Sequence, residues 1–201
     1  MREDLHIPCG DQNLNATLYG SGSEALVILA PPHPLMGGSR FDPRLVHLAE
    51  ELEKSKIAAL SIDYGRYGGG KREINDIVAV IDFMEEKVER LGVLGYSFGA
   101  VVSSNAVAKR SDVISGFATL ALLKEIEKVK ADLSSDCPKL FIQGRRDRIA
   151  PFSDFEKLYQ GANGEKEQLV LETDHFFGGV MGIVSESVCD FFRGVLPKYR
   201  G

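Results

Sequence analysis

Apolar and polar positions along this chain switch repeatedly between two periods, and the switches predict the elements. Residues 14–19 alternate one by one, as a half-buried strand does. Residues 25–30, ALVILA, form a continuous apolar run closed by Pro31 and Pro32. Such runs suit strands buried on both faces. Over residues 43–55 the period lengthens, and Leu45, Leu48, Ala49 and Leu52 fall on one helical face. Residues 57–62 are strand-like again. After a glycine-rich turn at 65–70, Ile74, Ile77, Val78, Ile81 and Val88 return to helical spacing, with Glu85 off the pattern. The remainder continues in the same way. Strands are expected at 91–94, 113–120, 139–143 and 168–171, and helices at 100–108, 155–160 and 184–195.

Strands separated by helices pair in parallel through right-handed crossovers. The pattern therefore predicts an α/β fold, a doubly wound and mostly parallel sheet with helices on both faces. The first two strands are expected to pair antiparallel, because only a short turn around Cys9 to Gln12 separates them. Between the strand ending near Leu120 and the one starting at Lys139 there is room for one short helix, over 124–130. No repeat, low-complexity segment or linker interrupts the chain, so residues 1–201 read as a single domain.

Composition narrows the function classes. With 201 residues, 44% of them hydrophobic, one domain can bury a sizeable core. The net charge of −5 argues against nucleic acid or an anionic membrane as partner through a broad basic surface. No apolar run approaches the roughly 20 residues that span a bilayer. Met1, Arg2, Glu3 and Asp4 do not resemble a signal peptide. Cys9, Cys137 and Cys189 lie far apart and outside any zinc-type spacing, as expected of buried thiols in a cytoplasmic protein without a metal centre. No cofactor motif is complete.

Sites in doubly wound sheets lie beyond the carboxyl ends of the strands, so the residues following each apolar run carry the chemical argument. After 91–94 comes Gly95-Tyr96-Ser97-Phe98-Gly99, a G-x-S-x-G sequence between a strand and a helix. A tight turn there lifts a serine hydroxyl into the site. A serine needs a base, and His175 is the one histidine after Ser97; it follows the strand at 168–171. The base needs an orienting acid. Asp147, just beyond the strand at 139–143, is the acid best placed, whereas Asp174 is too close in sequence to His175 to face it well. Acyl chemistry also needs oxyanion donors. The backbone N–H of Phe98 is one. The loop after ALVILA supplies the other from Leu35 or Met36, since its prolines have no N–H. Met36, Phe176 and Phe177 are expected to form apolar substrate-binding surface. His33 reads as a structural hydrogen-bonding residue rather than a second base.

Together these segments resemble the α/β-hydrolase superfamily over most of the chain, from about Ala25 to Leu196. The nearer likeness is to a small esterase-like branch with an H-P-x-x-G-G loop, here His33 to Gly38. The branch also has a G-x-S-F-G elbow, a G-x-x-D-x-x-x-P segment (Gly144 to Pro151) and an H-F-F-x-G end (His175 to Gly179). The resemblance implies an eight-stranded sheet and a Ser97–His175–Asp147 triad acting on a small-molecule acyl substrate. The segment from Ala121 to Pro138 is too short for the large lid of many relatives.

Two other readings bear on the same residues. Gly65 to Lys71 fits G-x-x-x-x-G-K, but Arg72 stands where a phosphate-binding loop needs Ser or Thr for Mg²⁺; a milder role for Lys71 and Arg72 is contact with an anionic substrate group. A non-catalytic binding protein on the same fold, or an acyltransferase or thioesterase using the same triad, is the alternative to an esterase. The sequence leaves the oligomeric state open.

Overall fold

The computed structural model describes residues 2–196, so Met1 and residues 197–201 of the expected domain lie outside the described residues. The elements run β1 (Arg2–Cys9), β2 (Gln12–Tyr19), β3 (Ala25–Ala30), α1 (Pro43–Lys54), β4 (Ala58–Ile62), α2 (Lys71–Glu85), β5 (Arg90–Tyr96), α3 (Phe98–Lys109), β6 (Ile114–Leu120), β7 (Glu125–Ile126), β8 (Val129–Lys130), β9 (Lys139–Gly144), α4 (Phe152–Gly161), β10 (Lys166–Leu171) and α5 (Met181–Val195). Eight strands form one sheet in the order β1-β2-β4-β3-β5-β6-β9-β10. β1 pairs antiparallel with β2, and β2 antiparallel with β4. From β4 to β10 every pairing is parallel.

The central strands are apolar throughout because helices cover both faces. Leu26, Ile28 and Ala30 of β3 point into a core shared with α2, α3 and Phe155 of α4. Val27 and Leu29, one residue out of phase, point into the opposite core, built with α1 and α5. The start of α1 is fixed locally. Asp42 caps it by accepting the Arg44 N–H at 3.0 Å, and Pro43 occupies the first turn, where its missing N–H costs nothing.

The crossover between β6 and β9 corrects one expectation. Residues 124–130 form a two-stranded hairpin, β7 and β8, in place of a helix. Ile126 and Val129 are three apart, a spacing that also suits a helix. In the hairpin they pair directly across the strands and reach the same side, against Gly70. Glu127 makes the turn at φ 50°. Asn105 of α3 donates to the Lys130 carbonyl at 2.9 Å, and the Asp132 N–H donates to Ser104 Oγ at 3.0 Å, which seats the hairpin on α3. Farther along, the buried Lys139 donates to the carbonyls of Ser135, Cys137 and Asn163. Burial lowers the pKa of that ammonium, and three carbonyls do the work of a counter-ion.

The glycine-rich turn is committed to the fold. The Gly68 and Gly70 N–H groups donate to the fully buried carboxylate of Glu73 at 2.7 and 2.8 Å, and the Gly65 N–H donates to buried Asp76 at 2.9 Å. Donors that would cradle a phosphate are held by carboxylates, which repel one. Desolvation pushes the Asp76 carboxyl above its ordinary pKa.

Candidate active site

Three strand ends deliver the residues singled out above. β5 ends at Tyr96 and α3 begins at Phe98, so Ser97 is the whole of the turn. Its backbone sits at φ 56°, ψ −115°, well outside the ordinary regions for an L-residue. Two close approaches hold it there. A Cβ on Gly95 would come within 2.4 Å of the Gly99 carbonyl oxygen, and one on Gly99 within 2.3 Å of the Ala30 carbonyl oxygen. Only glycine lets strand and helix meet so closely. The Ser97 N–H donates to the Leu120 carbonyl of β6 at 2.8 Å, which anchors the turn from the other side.

His175 Nε2 lies 2.9 Å from Ser97 Oγ, and His175 Nδ1 lies 2.7 Å from Asp147 Oδ2. All three residues are buried. Asp147 Oδ1 accepts the N–H groups of Ile149 and Ala150, each at 2.8 Å, so the carboxylate is fixed by its own loop. An ionised carboxylate accepts hydrogen bonds only. The proton between Asp147 and His175 therefore belongs to Nδ1, and Nε2 presents its lone pair to the serine hydroxyl. Asp174, by contrast, turns its carboxylate to the Phe176 N–H.

The residues expected to supply oxyanion donors sit in a more particular arrangement. Phe98 is the first residue of α3, where N–H groups have no partner inside the helix. In the other loop, the Leu35 N–H donates to His33 Nδ1 at 3.2 Å and the Met36 N–H donates to the His33 carbonyl at 3.0 Å. Both expected donors thus rest on His33, within a single 3₁₀ turn over Pro34–Met36. The Phe98 ring is buried in an aromatic group with His33, Tyr64 and Tyr67, at centroid distances of 4.8, 5.7 and 6.3 Å. The Tyr64 hydroxyl donates to the Pro31 carbonyl at 3.0 Å.

A cleft of about 450 Å³ opens over Ser97 and His175. Met36, Phe41, Ile149 and Phe176 line it and are exposed. Phe176 borders the cleft beside His175. Phe177 does not: it is 0% exposed, packed edge-on to Tyr96 at 6.3 Å in the core with Val184, Val188 and Phe192. Its φ of 56° turns consecutive aromatic side chains to opposite sides of the loop. Phe177 is therefore a core residue and not substrate-binding surface.

Sequence reasoning missed several supports. The Tyr96 hydroxyl donates to the His175 carbonyl at 3.0 Å, and burial raises the Tyr96 hydroxyl's pKa. Arg44, paired with Asp42, lays its guanidinium 4.7 Å from the centre of the Tyr96 ring and 5.7 Å from that of Phe176. Gln143 donates to the Ala150 carbonyl at 2.7 Å and steadies the Asp147 loop. The one available signal was Tyr96, inside the G-x-S-x-G sequence. Lys71 and Arg72 are not among the residues lining the cleft. Lys71 instead borders a separate depression of about 850 Å³, with Lys109, Lys128 and Lys157, that contains neither Ser97 nor His175.

Among the described residues, no group of His, Cys, Asp or Glu has the arrangement of a metal site. No helix among them is long and apolar enough to cross a membrane.

The chain has the α/β-hydrolase fold. A serine hydrolase of Xanthomonas campestris described as lacking a lid superposes with a TM-score of 0.84 at 19% identity, covering 98% of this chain and 96% of that one. An esterase of Pyrococcus furiosus superposes with a TM-score of 0.86 at 19% identity, covering 98% and 92%. In sequence, the chain is 21% identical over 198 residues to an uncharacterized protein of Rickettsia prowazekii, covering 90% of this chain and 83% of that protein. No family model matches the chain.

Proposed function

We propose that the protein is a serine hydrolase that cleaves a small carboxylic ester or related acyl compound through an acyl-enzyme on Ser97. The observation that carries the reading is the continuous chain from Ser97 Oγ through His175 to Asp147, at 2.9 and 2.7 Å, on a backbone turn strained at the serine alone. That geometry sets up each proton transfer. His175 Nε2 takes the hydroxyl proton as Oγ attacks the acyl carbon, and Asp147 stabilises the resulting imidazolium. The Phe98 N–H and a second donor from the 33–38 loop, Leu35, receive the negative charge on the acyl oxygen. The imidazolium then protonates the leaving alcohol, and water repeats the sequence on the acyl-enzyme.

The names of the Xanthomonas and Pyrococcus proteins, a serine hydrolase and an esterase, support this class of reaction. The exposed apolar lining supports a small-molecule acyl group as the substrate part bound beside Ser97, with Met36 and Phe176 as the substrate-binding surface. Three unpaired cysteines favour a cytoplasmic location. A serine-directed fluorophosphonate tests the reading. One equivalent is expected on Ser97 by peptide mapping; an adduct on another serine, or none at all, overturns it.

A further inference from the structure

The hairpin β7–β8 reaches the site through one chain of hydrogen bonds. The Leu35 N–H donates to His33 Nδ1 at 3.2 Å. An amide N–H can only donate, so Nδ1 is unprotonated and a neutral His33 carries its hydrogen on Nε2. Nε2 lies 3.4 Å from the Tyr67 hydroxyl oxygen, and that hydroxyl donates to Glu127 Oε1 at 3.1 Å, at the hairpin tip. Every donor is thus fixed in direction, from the oxyanion loop out to a carboxylate. The rings meet in tilted contacts along the same path, with His33 5.3 Å from Tyr67 and 4.8 Å from Phe98.

On the reading of Ser97 as the nucleophile, we propose that Tyr67 and Glu127 are positioning residues for the oxyanion loop, acting through His33 to hold the 33–38 turn and its Leu35 peptide in place beside the cleft. A neutral imidazole fixed as the Nε2–H tautomer is a good acceptor for the Leu35 N–H. A charged acyl oxygen is a stronger acceptor than a neutral imidazole and competes for that hydrogen as it forms. Without the Tyr67 hydroxyl the Nε2–H loses its acceptor, and the Leu35 N–H and the Phe98 ring are left to hold the imidazole's tautomer and plane. Burial and the Glu127 contact both raise the pKa of the Tyr67 hydroxyl, as suits a group that keeps its proton to donate. The hairpin, in place of covering the cleft, stiffens one wall of it.

The test compares four proteins. Complete loss of one oxyanion donor costs about 10²–10³ in kcat; Tyr67→Phe, which only loosens a donor, is expected to cost about tenfold in kcat with KM nearly unchanged. His33→Asn keeps an oxygen that can accept the Leu35 N–H, as in an Asx turn, and severs the link to Tyr67. In that background Tyr67→Phe is expected to add nothing. A purely packing role for Tyr67 would instead add its full cost in both backgrounds. Equal losses in the two backgrounds, or wild-type kcat in Tyr67→Phe, overturn the proposal. The tautomer is read separately by ¹⁵N NMR of the His33 ring, expected as Nε2–H in the wild type and mixed in Tyr67→Phe. A Nδ1–H tautomer in the wild type also overturns it. A chain that takes no fluorophosphonate would sink the hydrolase reading, whereas the ring spectrum judges the hydrogen-bond chain on its own.

Discussion

The floor of the cleft and its rim are built in opposite ways. On the floor, Ser97, His175 and Asp147 are buried, each with its side chain fixed by backbone groups or by another of the three. On the rim, Leu35 and Met36 are 69% and 84% exposed and Phe176 is 55% exposed. Among the described residues, the exposed large apolar side chains are these three with Phe41, Ile149 and Ile183, and all but Ile183 border the cleft or its adjoining loop. The floor is set by sterics that leave little freedom; the rim is set by side chains that few contacts restrain. Changes on the floor should therefore abolish a reaction, and changes on the rim should retune it.

The contrast breaks first at the serine. Ser97→Ala is expected to lower the rate by about 10⁴-fold or more while the melting temperature stays close to wild type; a variant that kept a tenth of the activity would remove Ser97 from the mechanism. Asp147→Asn comes next, with an expected loss of about 10³–10⁴ in kcat from a mis-set His175 tautomer. Asp174→Asn serves as its control and should stay within a few-fold of wild type, because Asp174 serves the Phe176 N–H instead. The adjacent pair Phe176 and Phe177 sharpens the comparison. Phe177→Ala should destabilise the fold by about 3–5 kcal/mol, measured by denaturant unfolding. Phe176→Ala should change stability by no more than about 0.5 kcal/mol yet raise KM for apolar esters several-fold. Reversed effects at the two positions would show the loop turned over. The smallest effect concerns chain length. At about 0.8 kcal/mol per buried CH₂, the apolar lining of the cleft, Met36, Phe41, Ile149 and Phe176, is expected to reward only the carbons it covers. A panel of p-nitrophenyl esters should give the highest kcat/KM at roughly two to six carbons, with no jump at an oil–water interface. A maximum at about twelve carbons would mean the rim extends farther than the side chains described here.

The parts legible in the sequence were those with one physical solution. A both-faces-buried strand leaves a continuous apolar run, as Ala25 to Ala30 of β3 does. Gly95 and Gly99 flank the serine because any Cβ there meets a carbonyl oxygen, so that pattern carried its own geometry. The misread parts have two physical solutions. Ile126 and Val129 satisfy a helix and a tight hairpin equally, and the choice lies with Gly70, more than fifty residues away, whose bare Cα accepts both side chains. The direction of Phe177 hangs on one positive φ, for which a phenylalanine gives no local warning. The roles of Tyr67, Glu127, Arg44 and Asp42 depend on tertiary neighbours and left no periodic trace.

One feature of the sheet reaches beyond the site itself. Ser97 follows β5 in the middle of the sheet, while Asp147 and His175 follow β9 and β10 at its far edge. The serine and histidine that touch are 78 residues apart along the chain. Parallel strands joined by crossovers are contacts of high sequence separation, the kind that closes slowly during folding. The three side chains meet only after β6, β9 and β10 have all docked in register. In a refolding experiment, helical signal should thus recover before the capacity to take up a fluorophosphonate, which makes labelling at Ser97 a gauge of the last strands to arrive.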